Sequence, residues 1–460
     1  MKHMKRPEFI MTLLVMSALV ISFVIFYEQT NYFLAALGGI SLFSLFFYRP
    51  TIGIYLVAAL YPLSMLEFVF GPINAAYVDI IALILFGAFM AQKGVAFLNS
   101  GKFTFEKHVW PYWYVYAAFV MVAFLGIMNV EFWQVNTTLK YIARPLIFLY
   151  LMWIVLPLKY VRTKEVMENC FQIIFWMGAL LALGGLWEVV AFSEFEGLRR
   201  ARPTGFGSFY PMGTNHNQLA EVLVAVVPVG YYLMKTEKDF FFRHVYQMIT
   251  LGIATVGFLT LSRSGWLALM AAAVVIVGIE YREVIREKFQ KVFWTVLGVL
   301  VLPVSMLLYL INTSAVAQSS NVSRVRMIEA SLEMWKTHPW IGVGAGTFQE
   351  NLNAIKFFVV EFGEALDSHS LFFKVLTENG VLGVVFFFAF VGLLVWKMYA
   401  AALSHKDEEM VLMITVLLAS SLGAFVFQNF GTAYYSPRMW LWFGLGLAAV
   451  EISKRKLKLV

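Results

Sequence analysis

Apolar runs long enough to cross a bilayer recur along almost the whole chain, and nothing constrains its fold more. They fall near residues 9–27, 31–48, 51–70, 77–92, 110–128, 141–157, 170–192, 217–234, 245–261, 264–280, 291–311, 371–396, 410–428 and 437–452. A transmembrane helix needs about 20 consecutive apolar residues, so these runs predict about fourteen spans. With 60% hydrophobic and only 14% charged residues in 460, no soluble core could absorb the excess, and the bilayer must act as solvent. The expected architecture is therefore all-α: one polytopic membrane domain over 1–460. The first run follows a basic start, MKHMKRP, and lacks a small-residue cleavage site, so it reads as a retained anchor.

Charge sets the expected orientation. Under strict alternation the segments MKHMKRP, KGVAFLNSGKFTFEKH, LKYVRTKEVMEN, KTEKDFFFRH, YREVIREKFQK, KMYAAALSHKDEE and SKRKLKLV all land on one side. They hold most of the lysines, which makes that side, and both termini, cytoplasmic. The net charge of +7 would suit nucleic acid in a soluble protein. Here it is the positive-inside signature, and no nucleic-acid partner is expected. One cysteine, Cys170, rules out an internal disulfide and a cysteine metal cage, and no other metal motif or cofactor signature is present.

The opposite side receives a loop near 193–216 and one long segment near 312–370. Within the latter, SRVRMIEASLEMWKTHP sets Val325, Ile328, Leu332 and Trp335 at helical spacing, with Ser323 as N-cap and Pro339 as a stop. This predicts an amphipathic helix lying on the membrane domain or its surface. The outward basic residues are mostly arginines: Arg144, Arg199, Arg200, Arg202, Arg263, Arg324, Arg326 and Arg438. Their planar fork suits bidentate recognition of phosphate better than lysine does. The acids Glu67, Asp79, Glu188 and Glu221 fall toward the same ends of their runs. Charge at membrane depth marks a functional site by default; a structural pairing of Arg263 with Glu221 or Glu188 is the competing reading.

Three stretches carry most of the chemistry. In LTLSRSGW, Arg263 sits between two apolar runs at the outer rim, and Gly265 permits a close approach. The loop RARPTGFGSFYPMGTNHNQLAE opens with Arg202 and leads into the next helix through Asn217. SHSLFFKVLTENG places His369 where the long loop re-enters the membrane, two residues after Asp367. Histidine is the side chain best suited to accept a proton at neutral pH. The glycines of HPWIGVGAGTF match neither a dinucleotide fingerprint nor a P-loop, and they predict close backbone packing instead.

In their order, RPTG…NQLA, LTLSRSGW, SRVRMIEASLEMWKTHPWIGVGAGTF and SHSLFFKVLTENG resemble the O-antigen ligase superfamily over residues 200–385. That group holds O-antigen ligases, O-antigen and exopolysaccharide polymerases, and protein O-oligosaccharyltransferases. The resemblance implies a metal-independent glycosyltransferase of the bacterial inner membrane with its site facing the periplasm. Its donor would be an undecaprenyl-pyrophosphate-linked glycan, and its acceptor a glycan or lipid A-core hydroxyl. It implies His369 as base, Arg263 in catalysis, and Arg202, Arg263 and Arg324 on the pyrophosphate; Arg326, Glu221, Asp367 and Asn217 are supporting candidates by their position in the chain. Membrane lipids are the remaining partners. Two positions depart from the family pattern: Ile328 stands where a tryptophan is common, and Ser370 where an asparagine is. The alternatives are a protein O-oligosaccharyltransferase and a flippase for lipid-linked glycans; the latter would show repeats and midplane charges, and neither is evident.

Overall fold

A computed structural model describes residues 30–63, 65–70, 73–102, 106–191, 200–205, 209–291, 315–355, 367–431 and 437–457, with isolated positions between 294 and 309. The expected span at 9–27, almost all of that near 291–311, and Arg199 lie outside the described residues.

The elements, in order, are α1 (Thr30–Tyr48), α2 (Pro50–Leu60), β1 (Glu67–Phe70), β2 (Ile73–Ala76), α3 (Tyr77–Ser100), α4 (Trp113–Leu125), α5 (Phe132–Tyr160) and α6 (Lys164–Ala191). They continue with α7 (His216–Thr236), α8 (Phe240–Leu259), α9 (Arg263–Glu280), α10 (Arg282–Glu287), α11 (Ala315–Thr337) and α12 (Phe348–Ala354). The chain closes with α13 (Leu371–Ser404), α14 (Glu408–Gln428) and α15 (Pro437–Leu457). Among the described residues seven helices are long and apolar enough to cross a membrane: α3, α5, α6, α7, α9, α13 and α14. The α1–α2 pair makes an eighth if it counts as one span. The protein is thus a multi-pass, overwhelmingly helical membrane protein. Of the other expected runs, the one near 110–128 forms a shorter apolar helix, Trp113–Asn129. Those near 245–261 and 437–452 form α8 and α15, which fall outside the seven.

Two sequence expectations fail near the start. The run 51–70 is not one helix: α2 stops at Leu60, and Glu67–Ala76 folds into an antiparallel hairpin with Glu67 opposite Ala76. Glu67 therefore opens a strand instead of ending a helix. The chain also turns by 119° between α1 and α2. Proline bars the helical region to the residue before it and favours the first helical position; Arg49, at φ −134°, and Pro50 fulfil both.

The bundle alternates in direction, and its two ends differ in charge. At one end Glu106 takes Lys93 (2.7 Å), Lys159 (2.5 Å) and Arg162 (3.1 Å), binding α3 to the α5–α6 junction. Lys164 reaches Glu409 at 2.5 Å and Lys397 reaches Glu451 at 3.0 Å at that same end. The other end carries the N-termini of α7, α9, α13 and α15. Small residues let the central helices approach: a Cβ on Gly265 would stand 3.0 Å from Ala220 on α7, and one on Gly423 of α14 would stand 3.2 Å from the Ala268 carbonyl of α9. Such contacts drive association where lipid tails are as apolar as the helices.

Two helices are deformed. In α5 the stretches Ile142–Ile147 and Tyr150–Val155 are π-helical, and Pro145 lies inside the first. Proline offers no N–H and clashes with the preceding turn, so a widened coil accommodates it. In α13, Gly380 (φ 64°, ψ −168°) breaks the helix into Leu371–Asn379 and Val381–Ser404.

Candidate functional site at the arginine-bearing end

The break in α13 is filled by the backbone of the segment 338–344. Carbonyls of Pro339 and Trp340 accept from Val381 (2.9 Å) and Leu382 (3.1 Å), capping the start of the second half-helix. The N–H groups of Val343 and Gly344 donate to the carbonyls of Thr377 (2.9 Å) and Glu378 (3.1 Å), capping the end of the first. Buried backbone groups must find partners, and here the loop supplies them. Such contact needs glycine on both sides: a Cβ on Gly342 would strike the Glu378–Asn379 backbone, and one on Gly380 the Trp340 carbonyl. Of the glycines in HPWIGVGAGTF, Gly342 serves the expected close backbone packing, whereas Gly344 and Gly346 make room for the side chains of Val130 and Tyr141.

Helix α11 lies against this joint, with a buried face that differs from the expected one. Met327, Ala330, Ser331 and Met334 are buried against Val343, Phe348 and Leu352, whereas Val325 is exposed. The packed stripe is thus turned about 100° from the 325–328–332–335 stripe, one residue's rotation. Ser323 is not an N-cap either, because the helix begins at Ala315. Methionines and a serine took the place of the branched and aromatic residues that hydropathy favours.

His369 occupies the turn before α13, in the left-handed backbone region (φ 47°). A non-glycine residue there is uncommon, and such strain concentrates at functional sites. Leu261, two residues before Arg263, is a second case (φ 54°). Ser370 caps α13 by accepting from the Phe373 N–H at 3.4 Å, so this departure from the family pattern has a structural role. Asp367 is engaged by Lys374 at 2.6 Å, and Lys374, only 4% exposed, stands 3.9 Å from the fully buried Glu378. Asp367 therefore braces the turn on which His369 sits. The sequence patterns above do not single out Lys374, although a lone lysine in the apolar stretch SLFFKVL is the kind of buried charge that marks a site.

Arg263 opens α9, with Ser262 as N-cap accepting from Gly265 at 3.2 Å. The Ser262 hydroxyl donates to Asn217 Oδ1 at 2.7 Å and lies 3.0 Å from that of Ser264, tying the N-termini of α7 and α9 together. Arg324, from α11, lies within electrostatic reach of both Arg263 and His369. Burial, reinforced by Arg263, lowers the Arg324 pKa. Burial and then Arg324 lower that of His369, with Asp367 opposing. An imidazole so placed is neutral at neutral pH and free to accept a proton.

Arg202 joins the same end through backbone: the Ala201 N–H donates to the Leu259 carbonyl at 2.9 Å, four residues before Arg263. With Arg200 it stands within reach of His216 at the start of α7. Two further sequence candidates have partners of their own. Glu221 is buried, with Gln428 at 2.5 Å on one oxygen and Arg438 at 3.2 Å on the other. Arg326 is exposed and pairs with Glu329 at 2.8 Å on its own helix.

Residues 248–388 match the family model described as O-antigen ligase, which supports the O-antigen ligase superfamily and includes Arg263, Arg324 and His369. No curated protein matches the chain. Among solved structures, a chain from "Structural coordination of polymerization and crosslinking by a peptidoglycan synthase complex" aligns at 15% identity and a TM-score of 0.40, covering 75% of this chain and 98% of that one. So loose a likeness bears on nothing that follows.

Proposed function

We propose, from a chain whose residues 248–388 match the O-antigen ligase family, that it transfers a glycan from a lipid pyrophosphate carrier to an acceptor hydroxyl, as a ligase or polymerase. The observation that carries this reading is the grouping of Arg263, Arg324 and His369 at the loop–membrane junction. Two guanidinium groups that repel each other are stabilised by an anion placed between them. A departing pyrophosphate is such an anion, and arginines keep their charge even when partly buried.

In the reaction the acceptor oxygen attacks the anomeric carbon, and a new C–O bond forms as the bond to the pyrophosphate oxygen breaks. The carrier pyrophosphate leaves with the electron pair, its growing charge met by Arg263 and Arg324 with Arg202 at the rim. His369 takes the acceptor proton. Attack from the face opposite the leaving group inverts the anomeric centre. Asn217 holds Ser262 and so positions Arg263, while Asp367 positions His369 through Lys374. The lysine-rich end would face the cytoplasm and the arginine-bearing end the outside of the bacterial inner membrane, where a preassembled undecaprenyl-linked glycan would be transferred.

The test uses purified, bilayer-reconstituted protein with binding of undecaprenyl pyrophosphate and glycan transfer measured separately. His369→Ala should cut transfer by a factor of about 10²–10⁴ and leave carrier binding intact. Arg324→Gln should weaken both. Near-normal transfer by the alanine variant would remove His369 from catalysis.

A further inference from the structure

A cavity opens beside Tyr141, between α3 and α5. It encloses about 400 Å³ and is lined by Asp79 of α3 and by Thr137, Lys140, Tyr141, Arg144, Pro145, Phe148 and Trp153 of α5. Arg144, Pro145 and Trp153 of its wall belong to the π-helical stretches of α5, a rare deformation found mostly at functional sites. Asp79 and Arg144 face each other at 4.0 Å, a loose pair, with side chains 27% and 59% exposed. Tyr141 connects the cavity to the candidate site: Lys374, which holds Asp367, lies 5.8 Å over its ring, and Gly346 packs against the same ring.

We propose that this cavity binds the acceptor saccharide, an inference that rests on the glycan-transfer reading above. A sugar presents hydroxyls that both donate and accept, plus apolar C–H faces. Asp79 accepts from hydroxyls, Arg144, Lys140 and Thr137 donate to them, and Tyr141, Phe148 and Trp153 offer aromatic surface. Pockets of this size and mixed lining are typical of small-ligand sites. A phosphate is disfavoured because the Asp79 carboxylate stands in the wall. Tyr141 places the bound sugar next to the Lys374–Asp367 brace, and so on the approach to His369.

Asp79→Asn and Arg144→Gln, each in reconstituted full-length protein, test the assignment. Three quantities are read: binding of undecaprenyl pyrophosphate, transfer against acceptor concentration, and binding of oligosaccharide fragments from the producing cell's own envelope polysaccharide, followed by native mass spectrometry. Both variants should raise the acceptor KM at least tenfold with little change in kcat, and lose fragment binding, while carrier binding stays at the wild-type level. Loss of carrier binding would assign the cavity to the donor and overturn the proposal, as would an unchanged KM and unchanged fragment binding. Wild-type protein that binds fragments through Asp79 and Arg144 yet transfers nothing would sustain the cavity assignment and overturn the transfer reading instead.

Discussion

At the scale of single residues, the site depends on the difference between a fork and a point charge. Arg263→Lys keeps the positive charge but cannot reproduce two parallel donors, so transfer should fall at least tenfold while the protein stays folded. Turnover equal to wild type would reduce Arg263 to generic charge. The pH profile gives an independent test. Burial and Arg324 hold the His369 pKa below its usual 6.5, so the base stays unprotonated as pH falls through that value. Transfer should hold its plateau below pH 6.5 and fall only as the lower pKa is crossed. Arg324→Gln removes one cause of the depression and should move the acid limb upward. A profile that breaks above 6.5, or an unmoved limb, would contradict this arrangement.

At the scale of elements, the joint between α13 and the 338–344 backbone decides whether the site forms. Gly380→Ala places a side chain at φ 64°, ψ −168°, against the Trp340 carbonyl. That conformation alone costs about 1–3 kcal/mol, before the clash. Thermal unfolding should shift down markedly, and transfer should fall with it. Gly392→Ala in the same helix meets nothing within 4 Å and should be neutral or stabilising by about 1 kcal/mol. Equal behaviour of the two variants would mean that the break is not held by this contact. At the opposite end, burial alone would raise the Glu106 pKa, but hydrogen bonds from Lys159 and Lys93 outweigh it and hold the carboxyl at about 2. A depressed carboxyl stabilises the fold above its unfolded pKa near 4.5 and loses that contribution as pH falls toward 2. Since Glu106 is partly solvated and its pairs are screened, Glu106→Gln should cost only about 1 kcal/mol, seen at pH 7 and vanishing near pH 2.

At the scale of the whole molecule, the two ends differ in kind: lysine–carboxylate clamps at one, arginines with a strained histidine turn at the other. The native Cys170 is buried, so introduced cysteines can report orientation. In a Cys170→Ala background, Glu333→Cys on α11, whose native side chain is 70% exposed, should react with an impermeant thiol reagent on spheroplasts. Lys406→Cys in the α13–α14 turn should not. The reverse pattern would move the arginine end into the cytoplasm and defeat the proposed use of an outward-facing lipid-linked donor.

The sequence by itself determined that the chain lives in a membrane, because no other solvent accepts so much apolar surface; it flagged Arg263 through charge at a membrane edge, and Arg324 and His369 through the family resemblance of their motifs. Asn217 and Gly342 of HPWIGVGAGTF were also legible, since helix starts and close backbone turns are local. Only the tertiary structure decided the rest. It paired Glu221 with Arg438, turned α11 onto Met327 and Met334, and split one apolar run into α2 and a hairpin. It also drew Lys374 to Asp367 and opened a cavity at the π-helical wall of α5. Hydropathy records how much surface must leave water, whereas which face turns inward and which charge meets which depend on neighbours far along the chain.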